Sequence, residues 1–412
     1  MIPVKSMMYQ LYRQGKVRIN YYLERIIDLC NMFLMDAYRF PWRTVQRTAQ
    51  CIARYIGDIS WLLRDFPRLS AYKLMGADWT VIFVGGDVGL REICHLFFEE
   101  EVDQQKLGRI ALWKLSAQAK QWLAEGADLV VCELSRIHPR PPKAVFTFTV
   151  PTQIQQILTI PKPLESLISG RKRNRLRHRI NRAQKAGFAY RFSQSRADFD
   201  HFYYHMYSPF VKSRHGDLAL VAPYQDQWQR WFTRGGLILV TQDDEPVAGS
   251  LCYIANDTCF STGAGILKAD PYLFQQGINI FRIWCIISWG HDHGAKIFDM
   301  GGSHAWRSSG PFAFKRGWGA RAIRRKRIYG VWTFLAQNLS PSLQDYLNKV
   351  GFISEIDDKF YGLLLSADAA SISEAKFNEE LSTIKKQDLD GLAVVSANSK
   401  PIIYNSAPQS PD

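Results

Sequence analysis

Residues 296–327 read KIFDMGGSHAWRSSGPFAFKRGWGARAIRRKR. The apolar run at the start predicts a buried strand that ends at Asp299, and Gly301-Gly302 allows the chain to turn sharply after it. Alternation over residues 312–315 (FAFK) predicts a second short strand, which places Lys315 beside the glycine-rich turn that follows. A charged residue at the end of an apolar strand, next to glycine turns, is where α/β proteins place ligand contacts.

A glycine-led helix precedes this segment. Residues 274–279 read FQQGIN and open an apolar helix that is expected to run to about His293. Glycine permits close backbone approach, Asn279 is able to cap, and a helix start directs free N–H groups at whatever lies in front of it. A phosphate is the natural occupant, although an ordinary helix cap explains the same residues.

Two basic stretches account for the net charge of +14. Residues 171–185 hold eight Lys or Arg and no acid, on a helix whose apolar residues Leu176, Ile180 and Ala183 lie on one face. Residues 315–327 hold seven Lys or Arg and again no acid. Like charges at i,i+4 repel one another, so such a helix favours an anionic partner. Two local patches indicate a phosphorylated substrate rather than a surface for any polyanion.

Length and composition exclude several classes. The 412 residues are too many for one small module, and 47% hydrophobic residues are too many for a disordered chain. The seven cysteines include no C-x-x-C pair, which argues against a disulfide framework or a zinc knuckle. No run reaches the length of a membrane span, and no signal peptide is evident. We therefore expect a cytoplasmic protein, with residues 1–66 as the candidate for a peripheral contact at the inner face of the membrane.

The chain divides into five predicted parts. The fold class expected is α/β, with strands and helices alternating in two halves of similar size. Apolar segments at 332–339 and 343–350 are expected to be helical, and the tail is rich in Ser, Asn and Pro. The predicted parts are a helical region at 1–66, α/β domains at 67–160 and 161–330, C-terminal helices at 331–385 and a disordered tail at 386–412.

The run FDMGGS…GPFAFKRGWGA, with the G-I-N helix start and the basic helix ending in KAGF (185–188), resembles the FemAB-like aminoacyltransferases and their GNAT-fold relatives with a BioF2-like acetyltransferase domain. The resemblance covers about residues 160–330. It implies two GNAT-like α/β domains with mixed central sheets, the first of them degenerate. It also implies transfer of an acyl or aminoacyl group from a thioester or an aminoacyl-tRNA to an amine, commonly on a cell-envelope precursor.

The same resemblance suggests roles for particular residues. In the family a Phe-Lys pair contacts the donor, and the matching residues are Phe314 and Lys315; Trp318 stands where the family usually has Phe. No heptad hairpin of the kind that grips tRNA is visible, which favours a CoA thioester over an aminoacyl-tRNA. The predicted donor contacts are Gln275, Gln276, Gly277, Asn279, Phe314 and Arg316.

Acyl transfer to an amine needs a proton acceptor and a donor aimed at the developing oxyanion. We expect Lys315 to serve the oxyanion or the donor phosphate, and His304 or Asp299 to take the amine proton. Asp299 is explained equally well as a structural carboxylate that hydrogen-bonds the Gly-Gly turn. No metal site is predicted, because the pair His201 and His205 has no carboxylate or Cys at matching spacing. The predicted acceptor contacts are Arg175, Arg179, Tyr204, Tyr207, Arg214 and His215.

The sequence thus predicts an N-acyltransferase of the GNAT/FemAB-like type. Its co-substrate would be an acyl-CoA or an aminoacyl-tRNA, with no permanently bound cofactor. Its partners would be a phosphorylated donor and an amine acceptor, with tRNA added only if the donor is an aminoacyl-tRNA. The rival hypothesis is a non-catalytic protein that binds RNA or anionic lipid. A transferase requires the two basic stretches to converge on one cleft near Lys315, whereas a binding protein would display them as an outward stripe.

Overall fold

A computed structural model describes residues 68–98, 102–135, 144, 146–216, 221–324, 330–368, 372–385, 387, 389–397 and 399–405. The predicted helices of 1–66 lie outside the described residues. The strands are β1 Arg68–Met75, β2 Thr80–Gly85, β3 Asp103–Ala111, β4 Leu129–Ser135, β5 Phe146–Pro151, β6 Ile154–Thr159, β7 Phe188–Ser193, β8 Gly236–Gln242, β9 Glu245–Ala255, β10 Thr258–Ile266, β11 Ile297–Ser303, β12 Arg321–Ile323, β13 Gly330–Ala336, β14 Ile353–Ile356, β15 Lys359–Leu365, β16 Gly391–Val395 and β17 Ile402–Asn405.

Helices lie between and after these strands. The α-helices are α1 Asp87–Phe97, α2 Leu115–Ala124, α3 Asn174–Lys185, α4 Arg196–His201, α5 Ser208–His215, α6 Tyr224–Arg230, α7 Pro271–Gln275, α8 Ile278–Asp292, α9 Gly310–Gly317, α10 Pro341–Val350 and α11 Glu374–Lys385. A π-helical segment, Phe202–Tyr207, joins α4 to α5, and a 3-10 turn, Arg171–Arg173, precedes α3. The predicted basic helix is therefore present, as a turn followed by α3.

The strands form three sheets, which confirms the α/β class with mixed sheets. The first has the order β3-β1-β2-β4-β13-β5, the second β12-β6-β11-β10-β9-β8-β7, and the third β14-β15-β16-β17. Each contains one parallel pair among antiparallel ones: β2 with β4, β10 with β11, and β15 with β16. A parallel pair needs a crossover connection, and α8 supplies it between β10 and β11.

Each large sheet is covered on both faces. In the first sheet, α1 packs on the face that also meets the third sheet, and α2 packs on the other. In the second sheet, α3 and α8 cover one face, and the π-helical segment with α6 covers the other. The first and third sheets share one core, because Phe334 and Leu363 belong to the same buried cluster.

The predicted strand at 312–315 is wrong, because these residues lie in helix α9. Pro311 occupies the first turn of this helix, where its missing N–H costs nothing. Phe312 is buried in the core shared by the first and third sheets, whereas Phe314 packs against the core of the second sheet. A helix that packs against two cores can have apolar residues two positions apart. Over four residues this pattern cannot be distinguished from that of a strand.

In the C-terminal region the helix expected at 343–350 is confirmed as part of α10, but two other predictions are wrong. Residues 332–339, expected to be helical, contain most of β13, which pairs with β4 and β5 and is buried on both faces. An apolar run buried on both faces has no periodicity that separates strand from helix. The predicted disordered tail contains β16 and β17, since the average composition of the tail concealed the apolar runs GLAVV and IIYN.

Two strands cross the predicted domain borders. β6 precedes residue 160 but belongs to the second sheet, and β13 begins at 330 but returns to the first. The division of the chain at these positions stays a prediction. Among the described residues, no helix combines the length and the apolar character needed to cross a membrane.

Candidate functional site

The parallel strands β10 and β11 separate where they approach their carboxyl ends. They pair only from Thr258 with Ile297 to Phe260 with Asp299. Beyond these residues β10 continues along β9, with a register shift between Thr262 and Gly265, and β11 continues along β6. A gap therefore opens inside the sheet, lined by backbone that has lost its strand partner. The carboxyl ends of parallel strands are where α/β proteins bind ligands.

Lys315 lies at this gap. From helix α9 its Nζ donates hydrogen bonds to the carbonyl oxygens of Gly301, at 3.1 Å, and Gly302, at 2.6 Å. Both carbonyls belong to the part of β11 that β10 has left. The ammonium thus holds the end of β11 and puts a half-buried positive charge beside the gap.

Asp299 is held as a structural carboxylate. Its Oδ1 accepts a hydrogen bond from the backbone N–H of Gly301, at 2.8 Å, and another from the side-chain amide of Gln155. Of the two hypotheses from the sequence, these contacts favour the one in which Asp299 is a structural carboxylate. A carboxylate engaged by the turn and by a neighbouring strand is poorly placed to receive a proton from a substrate, which leaves His304 as the stronger base candidate.

Helix α8 begins differently from the expectation. Gly277 is its N-cap, in the left-handed conformation with φ 90°, and no side chain caps the helix. Asn279 does not cap: its Oδ1 accepts a hydrogen bond of 2.9 Å from Arg282. No side chain therefore caps the N–H groups of Ile278 and Asn279, whereas the N–H of Ile280 donates to the carbonyl oxygen of Gly277. A ligand in front of this helix would meet the first two of these N–H groups. Gln275 ends helix α7, and Gln276 follows it as the cap residue.

Arg282 is a buried cation that no carboxylate of the described residues pairs with. It is 6% exposed and also donates to the hydroxyl of Ser250 on β9. Burial lowers the pKa of Arg282 to about 10. The guanidinium ties the first turn of α8, through Asn279, to the middle of the second sheet.

The two basic stretches meet. Arg173, from the first stretch, donates a hydrogen bond of 2.5 Å to the carbonyl of Gly317 in the second. Next to this contact lies a pocket of about 310 Å³, with Arg173 and Arg321 in its wall and Trp318 and Leu158 among its apolar lining. One guanidinium from each stretch thus faces the same pocket, at the β6–β12 edge of the sheet.

His304 follows the last residue of β11 and faces a carboxylate on helix α1, in the half of the molecule that contains the first sheet. Its Nδ1 lies 3.9 Å from Oε2 of Glu92 on α1. Its ring stacks on Trp306, with centroids 4.3 Å apart and planes 10° apart. Burial lowers the pKa of His304. Burial and then the nearby charge of Glu133 raise the pKa of Glu92 to about 7.

The predicted acceptor residues occupy different environments. Tyr204 is 58% exposed, whereas Tyr207 is buried and its hydroxyl accepts the N–H of Ala222. Arg214 lies over the ring of Phe274, at 4.6 Å, which brings it beside the start of α8. Arg175 and Arg179 are exposed on α3. His215 ends α5, and its side chain is outside the described residues.

The remaining donor candidates lie on α9. Phe314 packs against the core of the second sheet, and Arg316 is half-buried beside Lys315. Within the described part of the chain, no group of three His, Cys, Asp or Glu side chains is placed to hold a metal ion.

Sequence reasoning missed Glu92 and Glu133. They lie 41 residues apart and far from His304, so no local motif contains them. One signal was available: Glu133 is a charged residue inside the apolar strand LVVCELS. A carboxylate in such a strand needs a partner, and this requirement could have singled it out.

Comparisons with known proteins found a family model that matches part of the chain. Residues 170–316 match the family model described as an acetyltransferase (GNAT) domain. Similar solved structures include L-PGS from Bacillus licheniformis, with 15% identity over 69% of this chain and 86% of that chain and a TM-score of 0.33. They also include FemX, with 14% identity over 68% and 91% of the two chains and a TM-score of 0.35. A search of curated proteins found no significant match.

Proposed function

Because residues 170–316 form an acetyltransferase (GNAT) domain, we propose that the protein is an N-acyltransferase that moves an acyl or aminoacyl group from an activated donor to an amine. The observation that carries the proposal is the gap between β10 and β11 with Lys315 beside it. An extended donor arm in this gap would meet unpaired backbone groups, which can hydrogen-bond it as a neighbouring strand would.

The residues around the gap take the following roles. The free N–H groups at the start of α8 receive a phosphate of the donor. The ammonium of Lys315 stabilises the negative charge that develops on the carbonyl oxygen when the amine attacks. His304 accepts the proton of the amine, because burial lowers its pKa and so favours the neutral imidazole, the form that can accept a proton.

We propose an acyl-CoA thioester as the donor, with aminoacyl-tRNA as the alternative. The acceptor would be an amine on a phosphorylated cell-envelope or polysaccharide precursor, because Arg173 and Arg321 face one pocket. Guanidinium groups are well suited to phosphate. The protein would work in the cytoplasm, where both donor classes are made, with residues 1–66 as the candidate contact to the inner face of the membrane.

The first experiment tests the donor. The full chain is incubated with acyl-CoAs of graded length and with aminoacyl-tRNAs, and donor binding is followed by calorimetry and transfer to amines by mass spectrometry. We expect saturable binding of one donor class and formation of an amide. Binding of neither class would remove the transferase proposal. RNA or anionic vesicles bound without any transfer would favour the polyanion-binding alternative instead.

The second experiment tests Lys315. Replacing a positioned donor to an oxyanion costs about 3–4 kcal/mol, so Lys315→Ala is expected to lower the transfer rate by roughly 100-fold or more. Lys120→Ala is the matched control, because Lys120 is exposed on α2, on the far face of the first sheet. A melting curve of each variant checks that the fold is intact. Near-native activity of Lys315→Ala would exclude the role given to this residue.

A further inference from the structure

Glu92, Glu133 and His304 form a cluster of titratable groups drawn from three elements. The Nδ1 atom of His304 is buried, faces Glu92 and has no hydrogen-bond partner among the described residues. The side chain as a whole is 31% exposed, so its accessible part lies away from Nδ1. Stacking on Trp306 fixes the plane of the imidazole. His304 therefore directs Nδ1 at a carboxyl group, and Nε2 is the ring nitrogen left to act on a substrate.

Glu133 is held in place by the start of helix α1. Its Oε2 accepts the backbone N–H of Gly86, at 3.0 Å. A Cβ atom at Gly85 or Gly89 would lie 2.8 or 2.5 Å from this oxygen, so both glycines leave space for the carboxylate. A helix N-terminus favours the ionised form. A fixed negative charge therefore sits close to Glu92, and it disfavours a second negative charge there.

We propose that Glu92 orients and polarises His304 for the removal of a proton from the acceptor amine, and that Glu133 sets the pH at which this happens. This proposal rests on the proposed function and adds a residue pair to its site. Glu92 acts through His304 and is a positioning residue. The 3.9 Å separation needs to shorten by about 1 Å to reach hydrogen-bond length.

The proton moves along a defined route. With Glu92 ionised, Nδ1–H of His304 donates to Oε2, and the lone pair on Nε2 takes a proton from the ammonium group of the acceptor. The freed amine attacks the carbonyl carbon of the donor, a C–N bond forms, and the carbonyl electron pair moves to oxygen. When that pair returns, the bond to the leaving sulfur, or to the ribose oxygen of an aminoacyl-tRNA, breaks. The leaving group takes a second proton from nitrogen, and His304 releases the first to solvent.

Protonation of Glu92 disables this arrangement. A neutral Glu92 carboxyl keeps its proton and donates a hydrogen bond to Nδ1, so the imidazole hydrogen lies on Nε2, which can then no longer accept a proton. The charged groups that face Glu92 are Glu133, which raises its pKa, Arg91, which lowers it, and His304. Transfer is therefore expected to rise with pH through about 7, the value to which the pKa of Glu92 is raised.

The cluster also joins two parts of the chain. His304 belongs to the matched acetyltransferase domain, whereas Glu92 and Glu133 lie before residue 170, on α1 and β4. On this assignment the first sheet is part of the active site, and the acceptor amine enters between the first sheet's half and the end of β11.

The test uses pH profiles of the full chain. Glu92→Gln is expected to lower kcat by about 10-fold or more, to leave KM for the donor unchanged and to remove the rise near pH 7. Glu133→Gln keeps an acceptor for Gly86 but removes the charge, so the rise is expected to move to lower pH. Glu125→Gln is the control, because Glu125 is exposed at the end of α2, on the other face of the sheet.

The outcomes separate this proposal from the proposed function. If the wild type transfers the acyl group and Glu92→Gln has the same rate and pH profile, the role of Glu92 is overturned. The proposed transferase activity is not affected by that result. A pH profile that does not shift in Glu133→Gln would overturn the role of Glu133. This second variant keeps that role testable even if Glu92→Gln does not fold. Absence of transfer by wild type with every donor would overturn both.

Discussion

At the scale of single residues, buried ionisable groups mark the site more clearly than the exposed basic residues do. Glu92 is a carboxyl group whose ionised form the fold disfavours, through burial and through Glu133. Arg282 is a buried guanidinium that carboxylates do not neutralise in the described structure. Groups of this kind cost stability, and they persist where function requires them.

The raised pKa of Glu92 predicts how stability depends on pH. The pKa of Glu92 is about 7 in the folded protein and 4.5 in the unfolded chain, so the folded protein holds this proton more tightly. The contribution of Glu92 to stability therefore falls as pH rises from 4.5 through about 7. Glu92→Gln removes the titration. Relative to wild type, the variant should gain on the order of 3 kcal/mol of unfolding free energy between pH 4.5 and pH 8.

Urea unfolding of both proteins across this pH range measures the difference. The lowered pKa of His304 acts in the opposite direction, but His304 is present in both proteins. A difference that does not change with pH would show that Glu92 ionises normally in the folded protein.

At the scale of elements, the proposed donor site depends on the start of α8. Gly277 adopts φ 90°, and a Cβ there would lie 3.4 Å from the carbonyl oxygen of Arg179 on α3. The glycine therefore serves both the backbone turn and the contact between α8 and the basic helix.

Gly277→Ala, at the start of α8, is tested against a control glycine that follows the end of the same helix. Gly294, just after α8, has φ 80° and open space around it, so Gly294→Ala carries a similar backbone cost, about 1–2 kcal/mol, without the contact. Both variants are expected to unfold at a lower temperature than the wild type. Only Gly277→Ala is expected to bind the donor more weakly. Calorimetric titration with the donor, after melting curves, measures this. Equal donor affinity in the two variants would contradict the role of the helix start.

At the scale of the whole molecule, the C-terminal residues complete the core of the first sheet. Leu392, Ala393, Val394 and Val395 of β16 are buried with residues of the first sheet in one cluster. The segment that looked like a tail in the sequence therefore stabilises the half of the molecule that carries Glu92 and Glu133.

Leu392→Ala measures this contribution. Removing a fully buried leucine side chain is expected to lower the free energy of unfolding by about 2–5 kcal/mol. Ile402→Ala, on the neighbouring strand β17, is the control, because Ile402 is 44% exposed and its loss should cost about 0.5 kcal/mol or less. Equal unfolding midpoints for the two variants would show that β16 does not belong to the cooperative core.

Periodic segments were predictable, and segments buried on two sides were not. The order of β10, helix and β11, and the basic helix α3, could be predicted because each has an apolar pattern of one period. Helix α9 and strand β13 were missed because both contact apolar surroundings on two faces, which removes the pattern. The sequence placed Lys315 beside the glycine-rich turn that follows it, whereas its hydrogen bonds to Gly301 and Gly302 became visible only in the tertiary structure.

The sequence by itself determined the α/β class, the acetyltransferase-like segment and the concentration of positive charge in two stretches, because these properties belong to neighbouring residues. The tertiary structure alone decided that Arg173 and Arg321 line one pocket, that Glu92 lies 3.9 Å from His304, and that Glu133 lies close enough to Glu92 to raise its pKa. A charge influences another group through distance in space and through the solvent excluded around it. The distances between these groups and the exclusion of solvent around them are fixed only when the two large sheets pack together.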